Sequence, residues 1–202
     1  PQTRTGETLL APAARNGPAG APLRSLLAEL ALPIGDARRA LGPAAVTLAG
    51  VLDRRVELVE VGYDGGLRAV ASPGGPNEAP SLDVAIVPSA RLAPSDPDDA
   101  AVDRVLAWST VLSDRHRLRD RMRELRIAPW SGVTGDGVAL RMAAARAALG
   151  RLAEATPEVA AMPAPDLIVA TGGVWAVATP AATTLALADV LRRPGVSGYA
   201  FD

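Results

Sequence analysis

The chain of 202 residues contains no cysteine, which excludes disulfides, thiolate zinc sites and cysteine nucleophiles. It contains no lysine either, since all 21 basic residues are arginine. Schiff-base chemistry and a phosphate-loop lysine are therefore excluded within this chain. The single histidine, His116, rules out a histidine-rich metal site. Ser109 and Ser131 have no histidine close by to activate them, so a hydrolase triad is not expected. Aromatic residues make up only 3%, and the core must be built from Ala, Val and Leu. No apolar run reaches the roughly 20 residues needed to cross a bilayer. The net charge of −1 offers no electrostatic basis for binding nucleic acid or an anionic membrane. Pro1–Arg4 carries no signal-peptide pattern, so the expected compartment is the cytoplasm. A start at Pro1 and a stop at Asp202, straight after an apparent strand, suggest a piece of a longer protein.

What is present is ordinary globular composition, 49% hydrophobic and 21% charged. Residues 1–21 are rich in Ala, Pro and Gly without periodicity and are expected to be irregular. Leu23, Leu26, Leu27 and Leu30 share one face of a predicted helix over 22–30, which Pro33 stops. One or two further turns are predicted at 36–41, and a separate helix at 43–53. Val56–Val61 reads as an alternating strand, and Tyr63-Asp64-Gly65-Gly66 as a hairpin turn. Strands over 67–71 and 82–87 complete a meander.

Asp96 as cap, Pro97 at the first position and two carboxylates after it predict a helix from there to about Arg126. Its arginine-rich side, with Asp114, Asp120 and Glu124, reads as a solvated face with local pairs. A second helix is predicted from Asp136 to about Ala155, its alanines admitting another helix at close range, so the two should pack as an antiparallel hairpin. Asp166–Trp175 follows: a buried strand running into Gly172-Gly173. A helix over 181–192 and a last parallel strand over 196–201 close the chain.

The predicted class is therefore α/β with a mixed sheet, an antiparallel meander followed by parallel strands, in the element order of the ribonuclease-H-like fold. The expected division is an N-terminal segment (1–42), an α/β lobe (43–95 and 157–202) and a helical hairpin insertion (96–156). Gly172 and Gly173 fall at the carboxyl end of a buried strand, where ligands of α/β sheets are held, and their missing Cβ atoms allow close approach. Trp175, just beyond, is a candidate to cover a flat ring.

Leu167–Val174, a strand ending in Gly-Gly, resembles the adenosine motif of the actin/hexokinase/Hsp70-type ATPases. Ala170-Thr171-Gly172-Gly173-Val174, a helix, and then Arg192–Asp202 are similar to the accessory ATPase family of adenosylcobalamin-dependent glutamate mutase (the MutL/GlmL type). The resemblance implies a nucleotide-binding lobe that acts on a cobalamin-dependent mutase, with ATP or ADP and Mg²⁺ as cofactors. It implies nucleotide contacts at Thr171, Gly172, Gly173 and Trp175. It also places a second phosphate motif at Val59–Gly66, with Gly62, Gly65 and Gly66 in the turn and Glu60 holding Mg²⁺ through water. A homodimer is a second candidate arrangement. The family usually has Asp at the Glu60 position and a Gly-Thr-x-Asp ending; here Leu67 and Arg68 follow the glycines, the hydroxyl and the following acid are missing, and the first phosphate motif is absent. This chain alone is therefore expected not to hydrolyse ATP. Two other functions fit the same residues: a degenerate lobe serving as a protein-interaction module, and an unrelated α/β domain binding a small anion at Gly172-Gly173.

Overall fold

The computed structural model describes residues 34–110, 114–175, 177–191 and 198–201. The chain divides into two compact units, residues 1–39 and 40–202, and the sheet belongs to the second. The predicted helix over 22–30 and the Arg192–Gly195 stop lie outside the described residues.

Five strands form one mixed sheet. They are β1 (Val56–Val61), β2 (Gly66–Ser72), β3 (Ser81–Val87), β4 (Leu167–Thr171) and β5 (Gly198–Phe201), in the order β3-β2-β1-β4-β5. β1, β2 and β3 pair antiparallel as the predicted meander, and β4 lies parallel to β1 and to β5. The protein is thus α/β with a mixed antiparallel and parallel sheet.

β1 does not alternate. Every residue except the half-buried Glu60 is buried, because helices cover both faces of the sheet there. On one face Val59, Val61, Val87, Ile168 and Ala170 join the main core. On the other, Val56, Leu58, Leu67, Ala69 and Ala71 are buried too, by the period-2 alternation of side chains along each strand. A long helix, α1 (Ile34–Leu52), enters this unit at Ala40 and lies over this second face from there. A Cβ on its Gly42 would come within 3.1 Å of Leu82 and 3.4 Å of Val84, so glycine is what allows the helix to lie so close to β3. Two short segments were expected here, separated before Pro43, but one helix runs through Pro43. A mid-helix proline costs about 3 kcal/mol. Leu41, Ala45 and Ala49, one turn apart and all buried, supply the compensating packing.

The single helix predicted over 97–126 is two helices, α2 (Asp99–Leu106) and α3 (Arg115–Ile127). Asp98, not Asp96, caps α2 by accepting from the Ala101 N–H at 2.7 Å. Asp114 caps α3 by accepting from Arg117 N–H at 2.9 Å. A cap-forming carboxylate in mid-pattern, preceded by Ser109 and Thr110, competes with continued helix. The break changes how the charges pair. Arg115, Arg119 and Arg123, spaced four apart on α3, reach Asp103, Asp99 and Asp96 on α2 and its lead-in. Among the described residues, the expected local pairing is seen at Arg123–Asp120 alone. Exposed pairs of this kind are each worth about 0–1 kcal/mol, and their geometry runs α3 back along α2.

A 3₁₀ turn over Pro129–Gly132 leads to α4 (Asp136–Glu154), close to the bounds expected. α4 packs on β1 and β2 as well as on α2 and on α6 (Pro180–Leu191), so its alanines face neighbours on several sides. A short α5 (Pro157–Ala161) precedes β4. Trp108 lies just past α2, half-buried against the core, with the Arg146 guanidinium 5.8 Å from its ring centre.

Candidate functional site

Because β1 and β4 run parallel, their carboxyl ends reach the same edge of the sheet. Glu60 stands opposite Thr171 in the register. The Gly62–Gly65 turn and the Gly172–Gly173 turn therefore emerge side by side. Residues 110 positions apart in the chain, seen in the sequence as two separate glycine signals, come together here.

The first turn is closed by Gly62 N–H donating to the Gly65 carbonyl at 2.9 Å. Gly65 adopts φ +156°, and a Cβ on it would meet the Val87 carbonyl oxygen at 3.0 Å; a side chain is excluded on both counts. Gly66 is buried against Ala90. In the second turn, Gly172 adopts φ +98°, with its Cβ position 3.5 Å from Glu60 Cγ and from the Val61 carbonyl oxygen. Gly173 differs: it is exposed, and nothing lies within 4 Å of its Cβ position. Gly172 shapes the turn, and Gly173 leaves open space beside the backbone.

Two arginines that sequence reasoning passed over hold the turns in place. Arg126, in the last turn of α3, donates to the Tyr63 carbonyl and, at 2.9 Å, to Asp64 Oδ1. Asp64 is thus bonded within the hairpin turn. Arg141, on α4 and only 7% exposed, donates to the Gly173 carbonyl at 2.9 Å and to the Pro129 carbonyl at 3.3 Å. One buried guanidinium therefore ties the glycine turn to the 3₁₀ turn. A signal for it existed: Val138, Arg141, Ala145 and Leu149 follow the i, i+3, i+4 spacing of one helix face, so the charge falls on the apolar stripe. The Tyr63 hydroxyl is buried without a hydrogen-bond partner. Burial raises its pKa, and the positive charges of Arg141 and Arg126 oppose that rise.

The remaining predicted residues take different places. Thr171 is half-buried at the end of β4, on the same face as Glu60. Trp175, expected to cover a ring, is 3% exposed within the core, its Nε1 donating to the Thr171 carbonyl at 3.1 Å. The indole is a core residue that braces the turn. The exposed tryptophan is Trp130, on the 3₁₀ turn, at 71%. Glu60 makes no side-chain hydrogen bond or ion pair among the described residues, and no group of three or more acidic or histidine side chains there could hold a metal.

Leu67 pairs with Glu60 in the β1–β2 register, and Arg68 follows it on the opposite face of the sheet. Both are buried, and Arg68 is committed to Glu57, its Nε and Nη2 lying 2.7 and 2.6 Å from Oε1. Its Nη1 donates to Thr156 Oγ1 at 2.8 Å. The residues present fit a group laid against the backbone at Gly173. Glu60 and the Arg126-bound Asp64 are the carboxylates at these two turns, and a magnesium ion there would take its remaining ligands from the nucleotide phosphates and water. Three pockets open elsewhere, and none is lined by residues 62–66 or 171–175. Among the described residues no helix is long and apolar enough to cross a membrane. No protein-family model matches the chain, and comparison with curated proteins finds no match.

Proposed function

We propose that this chain is a ribonuclease-H-like second lobe of an actin-type ATPase, similar to the accessory protein of cobalamin-dependent glutamate mutase. Its β1/β4 edge accepts the nucleoside end of ATP or ADP at Gly172-Gly173. The observation that carries the reading is the register that sets Glu60 against Thr171, which brings both glycine turns to one edge at the carboxyl ends of parallel strands. That edge is where α/β sheets hold ligands. The strand order β3-β2-β1-β4-β5, antiparallel and then parallel, supports the same fold. Helices α2, α3 and α4 come between β3 and β4 in the chain.

The phosphate side is degenerate. Arg68 is locked to Glu57 and Leu67 is buried, so the stretch after the glycines brings no hydroxyl to a phosphate. The lobe is accordingly a nucleotide-responsive binding module that does not hydrolyse ATP by itself. A second reading, a pure protein-interaction module, is favoured by the exposed apolar residues Ile127, Trp130 and Val133 on and beside the 3₁₀ turn.

Calorimetric titration of Mg-ATP, Mg-ADP and adenosine into the chain and into Gly173→Val tests this. The space beside Gly173 lets the valine leave the fold intact while it blocks access to the backbone. Binding of adenosine and both nucleotides that disappears in the variant is the expected result. Binding that survives the variant moves the ligand elsewhere. Absence of heat with all three ligands, repeated on the longest form of the protein that expresses, refutes the nucleotide reading and leaves the interaction module.

A further inference from the structure

A separate pocket opens where the segment after β3 crosses α2, α3 and α4. Its enclosed part is small, about 40 Å³, and it widens into a mouth open to solvent. Leu92, Val105 and Met122 line it, each no more than 2% exposed. Arg91, Arg104 and Arg151 complete the lining, and no carboxylate contributes to it.

The three guanidinium groups retain unused donors. Arg91 donates only through Nε, to the Pro88 carbonyl at 2.8 Å. Arg104 makes a long ion pair with Glu154 at 3.4 Å, and its Nε is buried without a hydrogen-bond partner. A buried, unpaired N–H is costly and calls for an acceptor. The Arg151 side chain makes no hydrogen bond or ion pair among the described residues. Guanidinium groups recognise planar carboxylates and phosphates with paired N–H donors, and the wall behind them is apolar.

We propose that this pocket binds a small amphipathic anion, an oxyanion head on a short apolar body. The guanidinium groups take the head, and Leu92, Val105 and Met122 take the body. The site is independent of the glycine edge and does not rest on the nucleotide reading.

The chain has three methionines, of which Met122 lines this pocket and Met142 and Met162 do not. Methyl-¹³C-methionine labelling of the whole chain therefore provides a reporter and two internal controls. Titrations with hexanoate and hexyl phosphate supply the two kinds of head; hexanol and inorganic phosphate supply each half alone. A saturable shift of Met122 alone, with one or both amphipathic anions and with neither half, is the expected result, and the stronger ligand identifies the head. An Arg91→Gln/Arg151→Gln variant, altered only at solvent-accessible positions, should bind roughly tenfold more weakly, whereas Gly173→Val should bind as before. The proposal is overturned if Met122 does not move with either anion. Hexanol acting as strongly as hexanoate, or unchanged binding in the double-glutamine variant, would overturn it equally.

Discussion

Replacing Arg68 by methionine removes a charge partner from a carboxylate that has no access to water. Glu57 is 0% and Arg68 2% exposed, and the guanidinium also ties Thr156, whose hydroxyl donates on to the Leu152 carbonyl at 2.8 Å. The substitution thus leaves a buried anion facing β2 and a threonine at the end of α4 short of one donor. Removing one member of a buried pair costs about 3–5 kcal/mol, a large share of the about 5–15 kcal/mol that holds a domain folded. For a chain of this size, 1 kcal/mol moves the melting temperature by about 2–4 °C, so a fall of roughly 6–20 °C is expected. The pair itself contributes little net stability, because both charges were desolvated to make it. Glu57→Leu combined with Arg68→Met should therefore recover most or all of the loss. Urea unfolding of the four proteins of this cycle, followed by tryptophan fluorescence, measures the coupling directly. A single variant that loses less than about 1 kcal/mol, or a double variant as unstable as the single, would refute the reasoning.

Gly172→Ala should cost about 1–2 kcal/mol, since φ +98° is hostile to a Cβ, whereas Gly173→Ala should stay within about 0.5 kcal/mol of the parent; thermal melts separate the two. Arg141→Met should cost about 2–3 kcal/mol through its lost carbonyl partners, and hydrogen exchange should quicken together at 128–135 and 171–175. Equal protection of both segments in the variant would show that the guanidinium is not their tie. Burial raises the Tyr63 pKa, so the stability it contributes is complete below the ordinary phenol pKa near 10 and is lost as pH rises through the higher folded value. Alkaline unfolding midpoints should accordingly shift less with pH in Tyr63→Phe, a change tolerated because the hydroxyl has no partner.

The elements bounded by strong local chemistry were legible from sequence. The meander followed from β-branched runs around Tyr63–Gly66, and α4 from its apolar spacing. The juxtaposition of the two glycine turns was implicit in the expectation of a mixed sheet, but only the register places Glu60 beside Thr171. Other features were hidden because they depend on what covers an element. Glu57 looks like any strand glutamate until helices lie on both faces of β1. Trp175 follows the glycines in sequence yet folds back to its own strand end through Thr171. The break at Asp114 was misread because arginines on both sides of it sustain an apparent helical pattern. Their acidic partners are reached only when α3 doubles back. Pro43 reads locally as the start of a separate helix, and packing around Gly42 against β3 carries one helix through it.

The central place of β1 has a consequence for how the chain must acquire its structure. β1 has one neighbour immediately after it in the chain, and the other arrives much later: Arg55 N–H meets the Asp166 carboxylate across 111 residues. During synthesis β1 and β2 can pair at once, but the opposite rim of β1, over residues 56–60, stays unpaired until β4 has been made. A long loop must then close before that contact rewards it, which slows folding. An open apolar rim is meanwhile a template for pairing with another chain. Fragments that end before residue 167 are therefore expected to aggregate, even though they contain the entire meander and α4.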